Sequence, residues 1–163
     1  MSTTQPEGLP AGGLPEEFLA GLARNSPDAI VYADAQGHIR FWNQAATRIF
    51  GFPESEALGA TLDLIIPERL RPRHWQGYNE VMQGRESRYA EGALLAVPAM
   101  HRDGRQISVE FTILGLTDAS GATLGIAAFL RDATARFEET RALRRELAAL
   151  KAQAAAPGET PAP

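Results

Sequence analysis

Between Gln106 and Leu116 the sequence alternates by twos, with Val109, Phe111 and Ile113 set against Ser108, Glu110 and Thr112. A period of two sends alternate side chains to opposite faces, so this stretch is a strand with one apolar and one wet face. Such a strand belongs in an antiparallel sheet covered on one side. Two further apolar stretches flank it, Tyr89 to Met100 and Thr123 to Leu130. Turn signals at Arg102-Asp103-Gly104 and Ala119-Ser120-Gly121 join the three into a meander. Leu94 to Met100 is apolar at both parities, which predicts cover on both of its faces.

The first half punctuates differently. Phe18, Leu19 and Leu22 recur at helical spacing after Pro15, and Asn25-Ser26-Pro27 ends that helix. Ala29 to Ala33 and Ile39 to Trp42 read as a hairpin around Asp34-Ala35-Gln36-Gly37. Asn43 is a good N-cap for a helix carrying Ala46, Ile49 and Phe50, which Gly51 stops. A short helical turn at Pro53-Glu54-Ser55-Glu56, an apolar segment from Leu62 to Ile66 and a helix from about Arg71 to Gly84 follow.

After Asp132 the chain turns rich in alanine, glutamate and arginine and stays helical to about Ala154. Leu143, Leu147 and Leu150 fall at the 4-3 spacing of a coiled-coil seam. The seam covers barely two heptads, with Thr140 and Arg136 upstream, so a weak or assisted dimer is expected. The order predicts an α+β fold: a five-stranded antiparallel sheet with short helices on one face, between an N-terminal cap helix and a long C-terminal helix. The expected divisions are a disordered N-terminus (1–13), one domain (14–132), an amphipathic helix (133–154) and a disordered tail (155–163).

Composition excludes several chemistries. With no cysteine among 163 residues, disulfides, thiolate metal sites, thiol nucleophiles and cysteinyl-flavin adducts are ruled out. Sixteen Lys and Arg against 20 Asp and Glu give a net charge of -4, and no basic run marks a nucleic-acid or anionic-membrane surface. No stretch is long and apolar enough to span a membrane, and a cytoplasmic location is the expectation. No phosphate-binding glycine loop, triad spacing or metal-ligand cluster points to an enzyme.

Six short segments in register resemble the PAS family: Ser26-Pro27-Asp28-Ala29-Ile30, Phe41-Trp42-Asn43-Gln44-Ala45-Ala46, Ile49-Phe50-Gly51-Phe52, Glu56-Ala57-Leu58-Gly59, His101-Arg102-Asp103-Gly104 and Arg131-Asp132-Ala133-Thr134. The resemblance runs from about Phe18 to Glu139. It implies a sensory or protein-pairing module that passes a change to an attached or separate output. It also implies that Arg131 and Asp132, where the last strand meets the output helix, relay the signal. Helix capping is the alternative role for Asp132.

Within that family, the segment around His74 resembles heme-binding oxygen sensors of the rhizobial sensor-kinase type and a related phosphodiesterase. There a histidine seven residues after a turn proline binds iron, and His74 stands seven after Pro67. Helical geometry puts His74 roughly 40° from an apolar face centred on Tyr78 and shared with Trp75, Val81 and Met82. The sequence departs from those sensors in three places. Their tyrosine three residues after the histidine is Gly77 here, with Tyr78 one further on. Their distal arginine aligns with Leu95, and their methionine ligand with Ala93.

A heme b held by His74 would therefore face an apolar wall, and would favour carbon monoxide or nitric oxide over stable oxygen binding. Tyr78, Leu95, Val97, Phe111 and Ile113 complete the expected cofactor site. Three readings stay open: a heme sensor, a binder of an apolar small molecule in the same cavity, and a homodimerising interaction module without cofactor. His74 has a packing or capping alternative. His38 and His101, beside hairpin turns, are expected in solvent, and Trp42, Trp75, Met82 and Met100 in packing roles.

Overall fold

A computed structural model describes residues 14–84 and 93–155. In chain order the elements are α1 (Glu16–Asn25), β1 (Ala29–Asp34), β2 (Ile39–Trp42), α2 (Gln44–Phe50) and α3 (Glu54–Ala57). Two 3-10 turns (Leu62–Leu64, Glu68–Leu70) lead into α4 (Arg71–Met82), followed by β3 (Leu95–Met100), β4 (Gln106–Thr117), β5 (Thr123–Asp132) and α5 (Thr134–Ala155). The five strands form one antiparallel sheet in the order β2-β1-β5-β4-β3. The expected architecture is the observed one. The disorder expected for 1–13 lies outside the described residues, as does that of the tail beyond Ala155, where α5 ends.

Cross-strand pairing sorts the side chains. Ala29, Leu130, Phe111 and Leu95 stand opposite one another across four strands, and Val31, Ala128 and Ile113 form the next row on the same face. Pairs on a shared face are the unit of sheet stabilisation, and these rows make the apolar face that the helices cover. The core centres on Trp42, Phe50, Ile39, Val31 and Val109, all essentially solvent-free. Trp42 Nε1 donates to Thr47 Oγ1 at 3.0 Å and lies 3.2 Å from the Phe52 carbonyl, so even its polar edge is satisfied.

Asn43 ties this half together. Its Oδ1 accepts from the N–H groups of Ala46 and Ile30, both at 3.0 Å, and its Nδ2 donates to the carbonyls of Ala23 (3.1 Å) and Asp28 (2.9 Å). One side chain therefore caps α2 and fixes α1, the α1–β1 loop and β1 against it. Both donors and both acceptor sites of the amide are used.

Two strand expectations are corrected. The strand expected from Tyr89 begins at Leu95, and Ala93 and Leu94 carry no strand; Tyr89 to Gly92 lie outside the described residues. The cover expected on both faces of Leu94 to Met100 is incomplete: Ala99 is buried, but Ala96 and Val97 are exposed on β3, which pairs only with β4 at the sheet edge. Leu94 is 64% and Val97 39% exposed. Pro98 fits that edge: the Met100 N–H, two residues on, turns away from β4 to the Ile65 carbonyl at 2.8 Å. At Pro98 the missing N–H therefore leaves no gap in the ladder.

Candidate functional site

α4 lies across the apolar face of the sheet and is fastened at two points. The Tyr78 hydroxyl, buried, lies 2.6 Å from the Asp34 carbonyl and 3.0 Å from that of Ala33, and donates its proton to β1. Burial, together with the Asp34 and Tyr32 side chains, pushes the Tyr78 phenol well above its usual range, so it remains a donor. Trp75 Nε1 donates to Asp63 Oδ1 at 2.8 Å, and the indole ring rests on the β1–β2 turn. A Cβ at Gly37 would lie 2.2 Å from Trp75 Cη2, and Gly37 has φ +79°, so both the turn and the ring need glycine there.

Between α4 and the sheet is a cavity of about 520 Å³. That volume falls within the roughly 300–1,000 Å³ of small-molecule and cofactor sites. All six residues expected at the cofactor site, His74, Tyr78, Leu95, Val97, Phe111 and Ile113, line it. Ile65, Ile66, Ile126, Ala128 and Leu130 add apolar wall. The lining side chains that carry charge or a hydrogen-bonding group, Arg73, His74, Tyr78 and Glu80, all come from α4. The sheet wall opposite is wholly apolar. Gly77 also lines the cavity, and a Cβ there would meet nothing within 4 Å.

His74 is the chemically unfinished group. Its Nδ1 is buried and has no hydrogen-bond partner, and its ring stands 5.0 Å from Trp75 and 5.8 Å from Tyr78, centroid to centroid. Burial pushes the imidazole below its usual range, opposed in part by the Asp63 carboxylate. At neutral pH it is therefore uncharged, the form that ligates a metal. A buried polar atom without a partner costs about 1–3 kcal/mol. A neutral imidazole in the wall of an apolar cavity of this volume fits axial ligation of a heme iron. Among the described residues no group of three or more His, Asp or Glu could hold a free metal ion.

Arg131 and Asp132 stand where β5 meets α5. Arg131 makes a two-pronged ion pair with Asp28, Nε to Oδ1 at 2.8 Å and Nη2 to Oδ2 at 2.7 Å, joining the end of β5 to the loop before β1. This holds the Asp28 carboxyl below the usual carboxylate range. Asp132 Oδ1 accepts from the Thr134 N–H at 2.8 Å, which is a helix-start role. Sequence reasoning missed Asp28 as the partner of Arg131, since 103 residues separate them. It also missed the Asn43 bonds to Ala23, Asp28 and Ile30 and the charged members of the cavity wall, Arg73 and Glu80.

One histidine expectation is overturned. The His101 side chain is only 16% exposed, with Nδ1 2.9 Å from Asp103 Oδ1. It packs so closely on Gly51 that a Cβ there would lie 2.5 Å from His101 Nε2. The His38 side chain is 42% exposed, 3.7 Å from Asp34.

This arrangement, a five-stranded sheet with helices enclosing an apolar cavity and a helix leaving the last strand, is that of a sensory domain. Residues 23–138 match the PAS fold family, and the chain belongs to it. It is 30% identical over 132 residues to the sensor protein FixL of Bradyrhizobium diazoefficiens, covering 81% of this chain and 25% of FixL. It is 30% identical over 129 residues to the oxygen sensor protein DosP of Escherichia coli K12, covering 77% of this chain and 16% of DosP. The chain thus spans a quarter or less of these relatives. Among solved structures, the PAS domain of a Colwellia psychrerythraea protein superposes with a TM-score of 0.63 at 19% identity, over 72% of this chain and 96% of that one. Among the described residues no helix is long and apolar enough to cross a membrane.

Proposed function

We propose that this domain is a non-catalytic sensor holding a heme b in the α4–sheet cavity through His74, with α5 as its output. The observation that carries the reading is the His74 imidazole, its buried Nδ1 without a partner, in the wall of an apolar cavity of cofactor size. Relatives named as a sensor and an oxygen sensor support it. When bound, the group supplies a redox-active iron with a coordination position for a small gas molecule.

The rest is done by the chain's own side chains. His74 ligates, while Tyr78 and Trp75 keep α4 seated on the β1–β2 hairpin. Leu95, Val97, Phe111 and Ile113 exclude water and offer no hydrogen bond, which favours carbon monoxide or nitric oxide over ligands that need a donor. Movement of that wall would pass along β4 and β5 to Arg131 and Asp132 and so to α5.

An absorption spectrum after heme reconstitution, beside His74→Ala, tests the proposal. A Soret band saturating at one heme per chain, and collapsing in the variant, is expected. A non-saturating response unchanged by the substitution would reject it. The all-apolar sheet wall favours a second reading, an apolar small molecule held without metal. Mass spectrometry of an organic extract of the purified protein would detect such a ligand.

A further inference from the structure

Charge in the cavity wall is confined to one stripe of one helix. Arg73, Gly77 and Glu80 recur at the i, i+4, i+7 spacing of a single α4 face, and all three line the cavity. Arg73 is also exposed, as are Ala96 and Val97 of the wall, so the cavity reaches solvent between the start of α4 and β3. Phe50 and Val109, further in, are essentially solvent-free. A molecule that fills the cavity therefore has an apolar body inside and one end beside Arg73.

Arg73 differs from its neighbours. Arg69 Nη2 donates to Gln106 Oε1 at 3.4 Å, and Arg71 donates to the carbonyls of Ile66 (3.2 Å) and Asp63 (3.0 Å). Among the described residues the Arg73 guanidinium has no ion pair or hydrogen bond, and it is the only cation in the wall, since His74 beside it is neutral. The other charge, Glu80, stands two turns on, about 10 Å along the helix axis. Its Oε1 accepts from Gln76 Nε2 at 3.2 Å. An anionic head is thus drawn to the Arg73 end and repelled from the Glu80 end. With a net charge of -4 on the chain, that attraction is local.

We propose that the cavity takes an amphipathic carboxylate, its apolar body against the sheet wall and its carboxylate on Arg73 at the mouth. Guanidinium and carboxylate are planar, two-pronged partners, as Arg131 and Asp28 show elsewhere in this chain. The role of Arg73 rests on the cavity being the ligand site and fits both readings of it. A fatty acid supplies one such carboxylate, and a heme carries two on an apolar macrocycle.

Displacement of Nile red, a neutral apolar fluorophore, from the full chain tests this. Dodecanoate is compared with dodecanol, and metal-free protoporphyrin IX with its dimethyl ester, so that each acid has a neutral partner. The acid-to-neutral affinity ratio should fall about three- to tenfold in Arg73→Leu. Arg73→Lys, which keeps the charge and loses the fork, should restore part of it. Arg69→Leu, an exposed cation one turn away and outside the wall, should leave the ratio unchanged, and added salt should shrink the wild-type ratio. An unchanged melting temperature would exclude a folding defect in the variants.

A fall for dodecanoate alone identifies a fatty acid as the source, and a fall for the porphyrin alone identifies its side chains; either supports the carboxylate site. An acid-to-neutral ratio that Arg73→Leu leaves unchanged in both pairs would overturn the proposal and leave the cavity reading standing. Nile red that fails to bind, or that none of the four ligands displaces, would remove the cavity as a ligand site and this proposal with it. None of the four ligands carries iron, so the outcome is independent of axial ligation by His74.

Discussion

The two ends of the helical layer are built to different standards. Under α2, Ala45, Ala46 and Phe50 are essentially solvent-free, and Asn43 uses every hydrogen-bonding position it has. Under α4, side chains of similar apolarity stop short of one another, a cavity of about 520 Å³ remains, and His74 keeps a buried nitrogen without a partner. Close packing and full satisfaction are what a stability element needs. An unfilled volume with one unsatisfied, neutral, basic atom lowers stability unless something binds there. The contrast separates a half that is closely packed and fully hydrogen-bonded from a half that keeps a cavity and an unpartnered nitrogen.

The largest expected effect comes from breaking the satisfied half. Asn43→Ala removes an N-cap and takes away the side-chain partner of buried Ala46 and half-buried Ile30, Ala23 and Asp28. We expect a loss of about 3 kcal/mol, or a melting temperature lower by roughly 10 °C. At the junction of the halves, Gly37→Ala should cost about 1–3 kcal/mol from the positive φ and the collision with Trp75. Repeating it in a Trp75→Leu background should remove the collision and leave the backbone part, as a double-mutant cycle would show.

On the cavity side substitutions should behave in the opposite sense. Gly77→Ala adds a methyl group into open space and relieves a mid-helix glycine, so denaturant unfolding should show a gain of about 1 kcal/mol. The smallest change at neutral pH is expected from His74→Leu, which deletes the unsatisfied nitrogen and should leave the apo protein as stable or more so. Its signature lies in pH dependence. The folded pKa of His74 is held below the ordinary histidine value of 6.5 by burial, so the unfolded chain binds the extra proton first. Wild-type stability should therefore be complete above pH 6.5 and fall as the pH drops through it. His74→Leu should lack that component, and melting curves from pH 7.5 to 5 would show whether it does.

Much of the fold was legible because local periodicity and turn chemistry speak directly. Ser108 to Ile113 alternates and is a strand; Asn43 before an apolar helix is a cap; Gly51 ends that helix in the left-handed conformation at φ +78°. The reading failed at Leu94 to Met100 because apolar residues on both faces describe a preference for burial and not its supply. Strand order put that segment at an edge. His101 was misjudged for the related reason that a turn-side histidine meets solvent or a neighbour according to what packs there, here Gly51.

The sequence by itself determined the order and kind of the elements, the cysteine-free chemistry, the placing of His74 on the inner side of α4, and the seam of α5. Those properties reside in spacing along one helix or strand, where covalent geometry sets which side chains share a face. Only the tertiary structure decided that α4 stands off from the sheet far enough to leave a cavity, that His74 lacks a partner there, and that Asp28 and Arg131 meet. Each depends on distances between segments far apart in the chain. Such distances follow from how whole faces pack, and no local pattern encodes them.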